Sequence, residues 1–272
     1  MNTTRVSFAN LPPAVLAAVA ARVGDFTAED AAYGNGAELS AVLTTPTGTR
    51  VFVKGLPEGH DHGDELAAEA RIGPHLPDLA PRLLWHLAVG GWTLLGFEGI
   101  TPEAGWAYFE SGSEYLEPVA TTLRALSTTL APPDLEATVW ERWGEFCAPG
   151  DEALLTGDHL VHGDPASTNF LPDTDGKAWL VDWAWAARGP AWTDTALWGF
   201  RLVCDGRQSP EEAAARTSTV PAFARAPREA LAVFTEAEAR YWEAWRESGA
   251  TDVERQLTAS RAWADHWAHR PD

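Results

Sequence analysis

The hydrophobic pattern of this chain changes period near residue 100, and that change limits it to folds in which a small sheet precedes a larger helical body. Before it, Leu39-Ser40-Ala41-Val42-Leu43 and Val51-Phe52-Val53 flank the turn residues Pro46-Thr47-Gly48-Thr49, the signature of a β-hairpin. PRLLWHL and WTLLGF, on either side of Gly90-Gly91, read as two further short buried strands. GDELAAEARIGPHL has helical composition, with Leu66, Ala70 and Ile72 on the apolar face and Gly73-Pro74 ending it. From Pro102 the period is helical, in EYLEPVATTLRALSTTL, DLEATVWERWGEF, REALAVFTEAEARYWEAWRES and DVERQLTASRAWADHWAHR. The expectation is an α+β chain: residues 1–98 form a small antiparallel sheet lobe with one inserted helix, and residues 99–272 form a larger, mainly helical lobe. Trp242 and Trp245, and Trp263 and Trp267, fall at helical spacings and are expected to fill the core between helices.

A length of 272 residues suits one large domain or two lobes sharing a core. The net charge of -19 argues against affinity won by neutralising nucleic-acid phosphates, so no nucleic-acid partner is expected. Acidity of this size suits a cationic partner or simply a soluble surface. The two cysteines, Cys147 and Cys204, form no C-x-x-C, which supports neither a disulfide framework nor a thiolate zinc site and fits a reducing cytoplasm. The apolar run Ala14 to Ala21 follows Pro12-Pro13 and ends at Gly24, so it reads as a capped helix rather than an export signal. No stretch approaches the ~18 apolar residues of a membrane span.

The chemistry concentrates in LVHGDPASTNFL, Leu160 to Leu171, which sets His162, Asp164 and Asn169 among apolar or small residues. AWLVDWAWAARG then places Asp182 after a short apolar strand, 13 positions beyond Asn169. An Asn carbonyl and a carboxylate brought together across a hairpin are oxygen ligands suited to a hard cation such as Mg²⁺. Asp164, five residues before the Asn, would face the substrate and accept a hydroxyl proton during attack on phosphorus. Lys54 and Lys177 are the only lysines, and Lys54 follows the strand Arg50 to Val53, placed to aim an ammonium at phosphate oxygens. Alone it reads better as a solvated strand-end lysine. Gly34 and Gly36 precede the first clear strand, where glycines either admit an anion to backbone amides or mark a turn. GHDHGDE, with His60, Asp61, His62 and Asp64, reads as a solvated connection, and His162 as a residue holding its turn by hydrogen bonds.

These residues together resemble the catalytic core of the aminoglycoside phosphotransferase family, small-molecule kinases with a two-lobed protein-kinase-like fold. His162, Gly163, Asp164 and Asn169 meet the pattern H-R-D-x-x-x-x-N, with Gly163 for the Arg as in the small-molecule branch, and Asp182 matches the metal-binding Asp of D-F-G. The resemblance runs in order from about Tyr33 to Trp198. It implies that Lys54 binds phosphates, that Glu69 pairs with it (Glu65 being the rival), and that Tyr33 to Ala37, with Gly34 and Gly36, covers the phosphates. It also implies that backbone groups of Phe97, Glu98 and Gly99 meet the nucleotide base, and that Asp194 opens a helix supporting the catalytic loop. Family members commonly carry a basic residue two positions after the catalytic Asp, where this chain has Ala166. The implied activity is transfer of the γ-phosphate of ATP or GTP, with Mg²⁺, onto a hydroxyl of a small molecule. An antibiotic is the expected acceptor, conferring resistance or self-protection. The glutamate-rich stretch Glu229 to Glu247 suits a polycationic aminoglycoside or peptide, and the 14 tryptophans suit a neutral nucleoside-type acceptor. A metabolic kinase for an amino alcohol or sugar, a non-catalytic nucleotide-binding module, and a metal-dependent hydrolase using His162, Asp164 and Asp182 are the alternatives.

Overall fold

The computed structural model describes residues 5–31, 37–103 and 105–268. Its chain divides into two compact units, Met1–Thr101 with Asp182–Trp185, and Pro102–Val181 with Ala186–Asp272. The segment Asp182–Trp185 thus belongs with the first unit although the sequence places it far into the second half. Gly34 and Gly36 lie outside the described residues.

The first unit is built on an antiparallel sheet of β1 (Thr27–Asp30), β2 (Leu39–Thr44), β3 (Arg50–Pro57), β4 (Leu83–Val89) and β5 (Trp92–Glu98), ordered β1-β2-β3-β5-β4. The period of two along β3 sorts its side chains onto opposite faces. Val51 and Val53 enter a core with Leu39, Leu43 and Leu94 that is covered by helix α1 (Pro13–Val23) through Val15 and Val19. Those two valines are fully buried, each worth about 1.5–3 kcal/mol of apolar burial. Phe52 and Leu56 face the other way, into a cluster with Leu95 and Phe97 that helix α2 (Gly63–Ile72) closes through Leu66. Lys54 shares this second face by its register and so projects toward α2.

Two sequence expectations need correction in this unit, and one strand was not foreseen. Lys54 does not follow the strand but lies within it, since β3 continues to Pro57, with Ser40 and Leu95 as its cross-strand neighbours. The PRLLWHL strand is half-buried rather than buried: β4 is an edge strand with alternating exposure. The other edge, β1, was invisible to hydrophobic pattern because all four of its residues are exposed.

The second unit carries α3 (Leu116–Leu126), α4 (Val139–Trp143), β6 (His159–Val161), the hairpin β7 (Phe170–Pro172) and β8 (Ala178–Leu180), and β9 (Ala187–Gly189), which pairs with β6. Then follow α5 (Thr193–Cys204), α6 (Pro210–Thr217), the single turn α7 (Pro221–Ala224), α8 (Arg228–Glu247) and α9 (Glu254–Ala268). Helix α4 is shorter than its sequence pattern from Asp134. Thr138 caps it, its Oγ1 accepting the Glu141 N–H at 3.2 Å while the Glu141 carboxylate accepts the Thr138 N–H at 2.8 Å. The residues before the cap are held extended against β9, with the Arg188 N–H donating to the Ala137 carbonyl.

Trp143, Trp198, Trp263, Phe109, Phe200 and Phe234 are almost completely buried in this unit. Trp263 also satisfies its indole by donating to the Ala196 carbonyl at 3.1 Å, which ties α9 to α5. Trp267 is buried with it, but Trp245 is 47% exposed and does not fill the core. The buried positions of α8 end at Ala239, so its last two turns run beyond the packed interior and carry Trp242 and Trp245 with them.

Candidate active site

In the first unit, Lys54 Nζ is ion-paired with Glu69 and donates to Asp182 Oδ1 at 3.0 Å. Glu69 comes from the inward face of α2 and is 3% exposed, and the Trp183 backbone N–H also donates to its carboxylate. Burial alone would drive the Lys54 ammonium toward the neutral form; Glu69 and Asp182 outweigh it and hold the pKa above the ordinary lysine range. Burial likewise pushes the Glu69 carboxyl up, against the pull of Lys54. Asp182 is more open, its side chain 42% exposed. Its φ of 68° is in the left-handed region, which Asp tolerates better than most residues and which is over-represented where geometry serves a site. Glu65 lines the same cavity as Lys54 and Asp182 but pairs with His62 at 3.2 Å, not with Lys54. His60 lies 3.5 Å from Glu38, and among the described residues no group of three or more His, Cys, Asp or Glu side chains is arranged to hold a metal.

In the second unit, β6 delivers the chain into His162–Gly163–Asp164. His162 is fully buried, and both ring nitrogens are engaged within this unit: Nε2 meets the Val181 carbonyl at 3.0 Å and Nδ1 accepts the Asp164 N–H at 3.2 Å. That occupancy removes His162 as a metal ligand and, with it, the support for a hydrolase. Gly163 has a φ of 85°, a conformation open to glycine and strained for an arginine, which accounts for the departure from H-R-D. The buried carboxylate of Asp194, at the start of α5, accepts the N–H groups of His162 at 2.8 Å and Gly163 at 2.9 Å. Burial raises the Asp194 carboxyl above its usual range despite those bonds.

Asp164 is held on both oxygens. Arg201 Nη2 donates to Oδ1 at 2.7 Å, and Asn169 Nδ2 donates to Oδ2 at 3.3 Å and to the Asp164 carbonyl at 2.9 Å. Burial works to raise the Asp164 carboxyl, but the cations around it, Arg201 foremost, leave it below the usual carboxylate range. Both Asn169 bonds use the amide nitrogen, and no described residue bonds its side-chain oxygen. The β7–β8 hairpin returns the chain to this point, with the Val181 N–H donating to the Asn169 carbonyl at 2.9 Å immediately before Asp182.

Of the connector residues, Phe97 lies in β5 opposite Phe52 of β3 and Leu83 of β4, while the N–H groups of Glu98 and Gly99 already donate to the carbonyls of Arg82 and Arg50. A side chain at Gly99 would meet Arg50 atoms at 2.6 Å, so that close approach requires glycine. Two cations near the loop escaped the sequence reading. Arg201 lies 37 residues from Asp164, and Arg142 donates to the Gly163 carbonyl at 2.9 Å while stacking on Trp143. A signal for Arg201 exists: it is the one basic residue in the otherwise mostly apolar helix TDTALWGFRLVC, and it falls seven positions, two turns, after Asp194.

No protein-family model and no curated protein matches the chain. Solved structures do. Aminoglycoside phosphotransferase from Alicyclobacillus acidocaldarius is similar at 15% identity and a TM-score of 0.61, over 95% of this chain and 96% of that one. Choline kinase LicA from Streptococcus pneumoniae is similar at 14% identity and a TM-score of 0.56, over 92% and 98%. A thermostable mutant of aminoglycoside phosphotransferase APH(4)-Ia, in ternary complex with AMP-PNP and hygromycin B, is similar at 14% identity and a TM-score of 0.57, over 94% and 99%. An antiparallel five-stranded sheet unit, a mainly helical unit and full-length likeness to these structures give this chain the fold of the aminoglycoside phosphotransferases and choline kinase.

Proposed function

We propose that the protein is a small-molecule O-phosphotransferase that moves the γ-phosphoryl group of a nucleoside triphosphate onto an acceptor hydroxyl. The observation that carries this reading is the grip of Glu69 and Asp182 on Lys54. A buried lysine kept charged by two carboxylates, one of them open to solvent, is suited to orient phosphate oxygens, and a purely structural pair needs only one of the two. Asp164 supplies what a nucleotide-binding module has no use for, an ionised carboxylate at a partly exposed position. In the proposed step the acceptor oxygen bonds to the γ-phosphorus, the bond from phosphorus to the β-phosphate oxygen breaks, and the nucleoside diphosphate leaves. The hydroxyl proton goes to the Asp164 carboxylate and from there to solvent. The ligand chemistry suits Mg²⁺: the side-chain oxygen of Asn169 and the carboxylate of Asp182 are each hard donors, the kind this ion takes one or two at a time together with substrate phosphates. Mg²⁺ so bound would neutralise charge on those phosphates.

The connector favours ATP over GTP. With their N–H groups spent, Glu98 and Gly99 offer carbonyls to a base, which suits the amino edge of adenine rather than the carbonyl edge of guanine. Within the antibiotic class, a neutral acceptor fits better than a polycation. On α8, Glu236 and Glu243 pair with Arg261 at partly exposed positions, and Glu238 is buried beneath the indoles of Trp143 and Trp242, so much of that acidity is already partnered within the fold. Asp164 itself is flanked by Arg201 over Phe200 and by Arg142 over Tyr241, a surround of guanidinium and aromatic groups. The decisive experiment incubates the protein with Mg²⁺ and ATP or GTP against neutral and cationic hydroxyl-bearing antibiotics, and looks by mass spectrometry for one added phosphoryl group, about 80 Da. Transfer undiminished in Asp164→Asn would sink the reading.

A further inference from the structure

The carboxylate of Asp164 is partnered from outside its own loop. Between Asp164 and Asn169 the chain reads Pro165, Ala166, Ser167 and Thr168, without a cation. The guanidinium on Asp164 comes instead from Arg201 in α5, at 2.7 Å, with its side chain 15% exposed. Helix α5 is anchored throughout, since every residue but Arg201 and Val203 is buried. Asp194 and Arg201, seven residues apart, share one face of it. From that face Asp194 takes the backbone N–H groups of His162 and Gly163, and Arg201 takes the side chain of the next residue. One rigid helix therefore holds the catalytic turn at two points, a carboxylate gripping its backbone and a guanidinium gripping its functional group.

We propose that Arg201 is a positioning residue for phosphoryl transfer, fixing the Asp164 carboxylate in the orientation from which it takes the acceptor proton and supplying the positive charge that the loop lacks. The proposal rests on the phosphotransferase reading. It is specific to Arg201 because the other groups around Asp164 do different things. Asn169 meets Oδ2, the Nδ1 of His162 accepts the Asp164 N–H, Arg142 donates to the Gly163 carbonyl, and Asp194 accepts backbone donors. Arg201 is itself backed by Asp205, 4.0 Å away at the C-terminal cap of α5, and Asp205 lies 3.6 Å from Arg255. Those contacts leave the guanidinium aimed at Asp164.

The test is kinetic and uses the full chain. Release of ADP from Mg²⁺ and ATP with water as the acceptor is measured in the wild type, Arg201→Gln and Arg201→Lys, with folding checked by urea denaturation. The expected outcome is kcat lowered roughly ten- to a hundredfold in Arg201→Gln with KM for ATP unchanged, and partial recovery in Arg201→Lys. A folded Arg201→Gln whose kcat matches the wild type, or whose loss lies in KM rather than kcat, overturns the proposal. Should that variant fail to fold, a wild-type kcat in Arg201→Lys overturns it, and a kcat reduced at an unchanged KM in Arg201→Lys supports it. Asp164→Asn separates the two levels: if it turns over ATP at the wild-type rate, the phosphotransferase reading falls. If it is inactive while Arg201→Gln keeps the wild-type kcat, only the role of Arg201 falls.

Discussion

In the first unit a cation, Lys54, sits between two carboxylates; in the second a carboxylate, Asp164, sits between a guanidinium and an amide. The two groups are also assembled differently. Lys54 meets Asp182 across 128 residues of chain, and its partner Glu69 is buried with almost no access to water. Asp164 sits in a turn whose backbone is already fixed by Asp194, and it keeps part of its surface open, its side chain 31% exposed. Removing a member of the first group leaves a charge stranded in the interior. Removing the central member of the second leaves a formed loop without its proposed proton acceptor. The difference teaches that Lys54 should be judged by stability as well as activity, and Asp164 by activity almost alone.

The largest effect expected is therefore catalytic. Asp164→Asn should lower phosphoryl transfer by about 10²–10⁴-fold, the usual worth of a positioned base, while nucleotide affinity measured by calorimetry stays unchanged. Loss of nucleotide binding in that variant would break the division of labour between the two groups.

Next comes the stability of the first unit. Lys54→Met leaves the Glu69 carboxylate buried without its cation, and should cost about 3–5 kcal/mol in urea denaturation. Adding Glu69→Leu should recover most of the loss, because an apolar pair replaces a half-broken ionic one. The contribution has a pH signature. The folded pKa of Lys54 lies above the unfolded value of 10.5, so its stabilisation is complete below that value and is lost as pH rises through the folded pKa. A wild type and a Lys54→Met variant whose urea midpoints fall in parallel above pH 10.5 would show that the ion pair is energetically silent.

Smaller again is the support of the catalytic turn. Asp194→Asn keeps one acceptor oxygen but turns an amide N–H₂ toward a backbone donor, leaving the His162 or Gly163 N–H unsatisfied in the interior. The expected cost is about 1–3 kcal/mol, with turnover reduced because the turn that carries Asp164 loosens. Unchanged stability would mean that the rest of α5, rather than Asp194, holds the loop.

How far these groups could be read from sequence follows from the range of their interactions. The hairpin of β2 and β3 was legible because its alternation is local, and so was the spacing of Asp164 and Asn169, which bond within one turn. β1 was not, since an exposed edge strand has no hydrophobic period to display. Nor was the early part of α4, where Thr138 and a bridge to Arg188 override helical composition. Arg201 was missed because the search for a cation stayed within the loop, at Ala166, whereas the guanidinium arrives from a helix that begins 29 residues after Asp164. A charge two turns beyond Asp194 in an otherwise buried helix was the available sign, and it acquires meaning only when Asp194 is known to touch the same turn.

The smallest effect sharpens the choice between two glutamates that sequence spacing alone leaves open. Glu65 and Glu69 are one helical turn apart on α2, and both lie within reach of a model that pairs Lys54 with this helix. Their surroundings differ completely. Glu65 is 36% exposed and meets only His62, three residues away and 43% exposed, so water screens the pair and replaces it readily. Glu69 is enclosed and carries the Lys54 ion pair. Glu65→Gln should accordingly shift unfolding free energy by no more than about 0.5 kcal/mol and leave nucleotide affinity alone, while Glu69→Gln strands the Lys54 ammonium with Asp182 as its remaining carboxylate and lowers both. If the two substitutions proved equal, the buried ion pair would be contributing no more than a solvated one, and the contrast between the Lys54 and Asp164 groups would lose its physical basis.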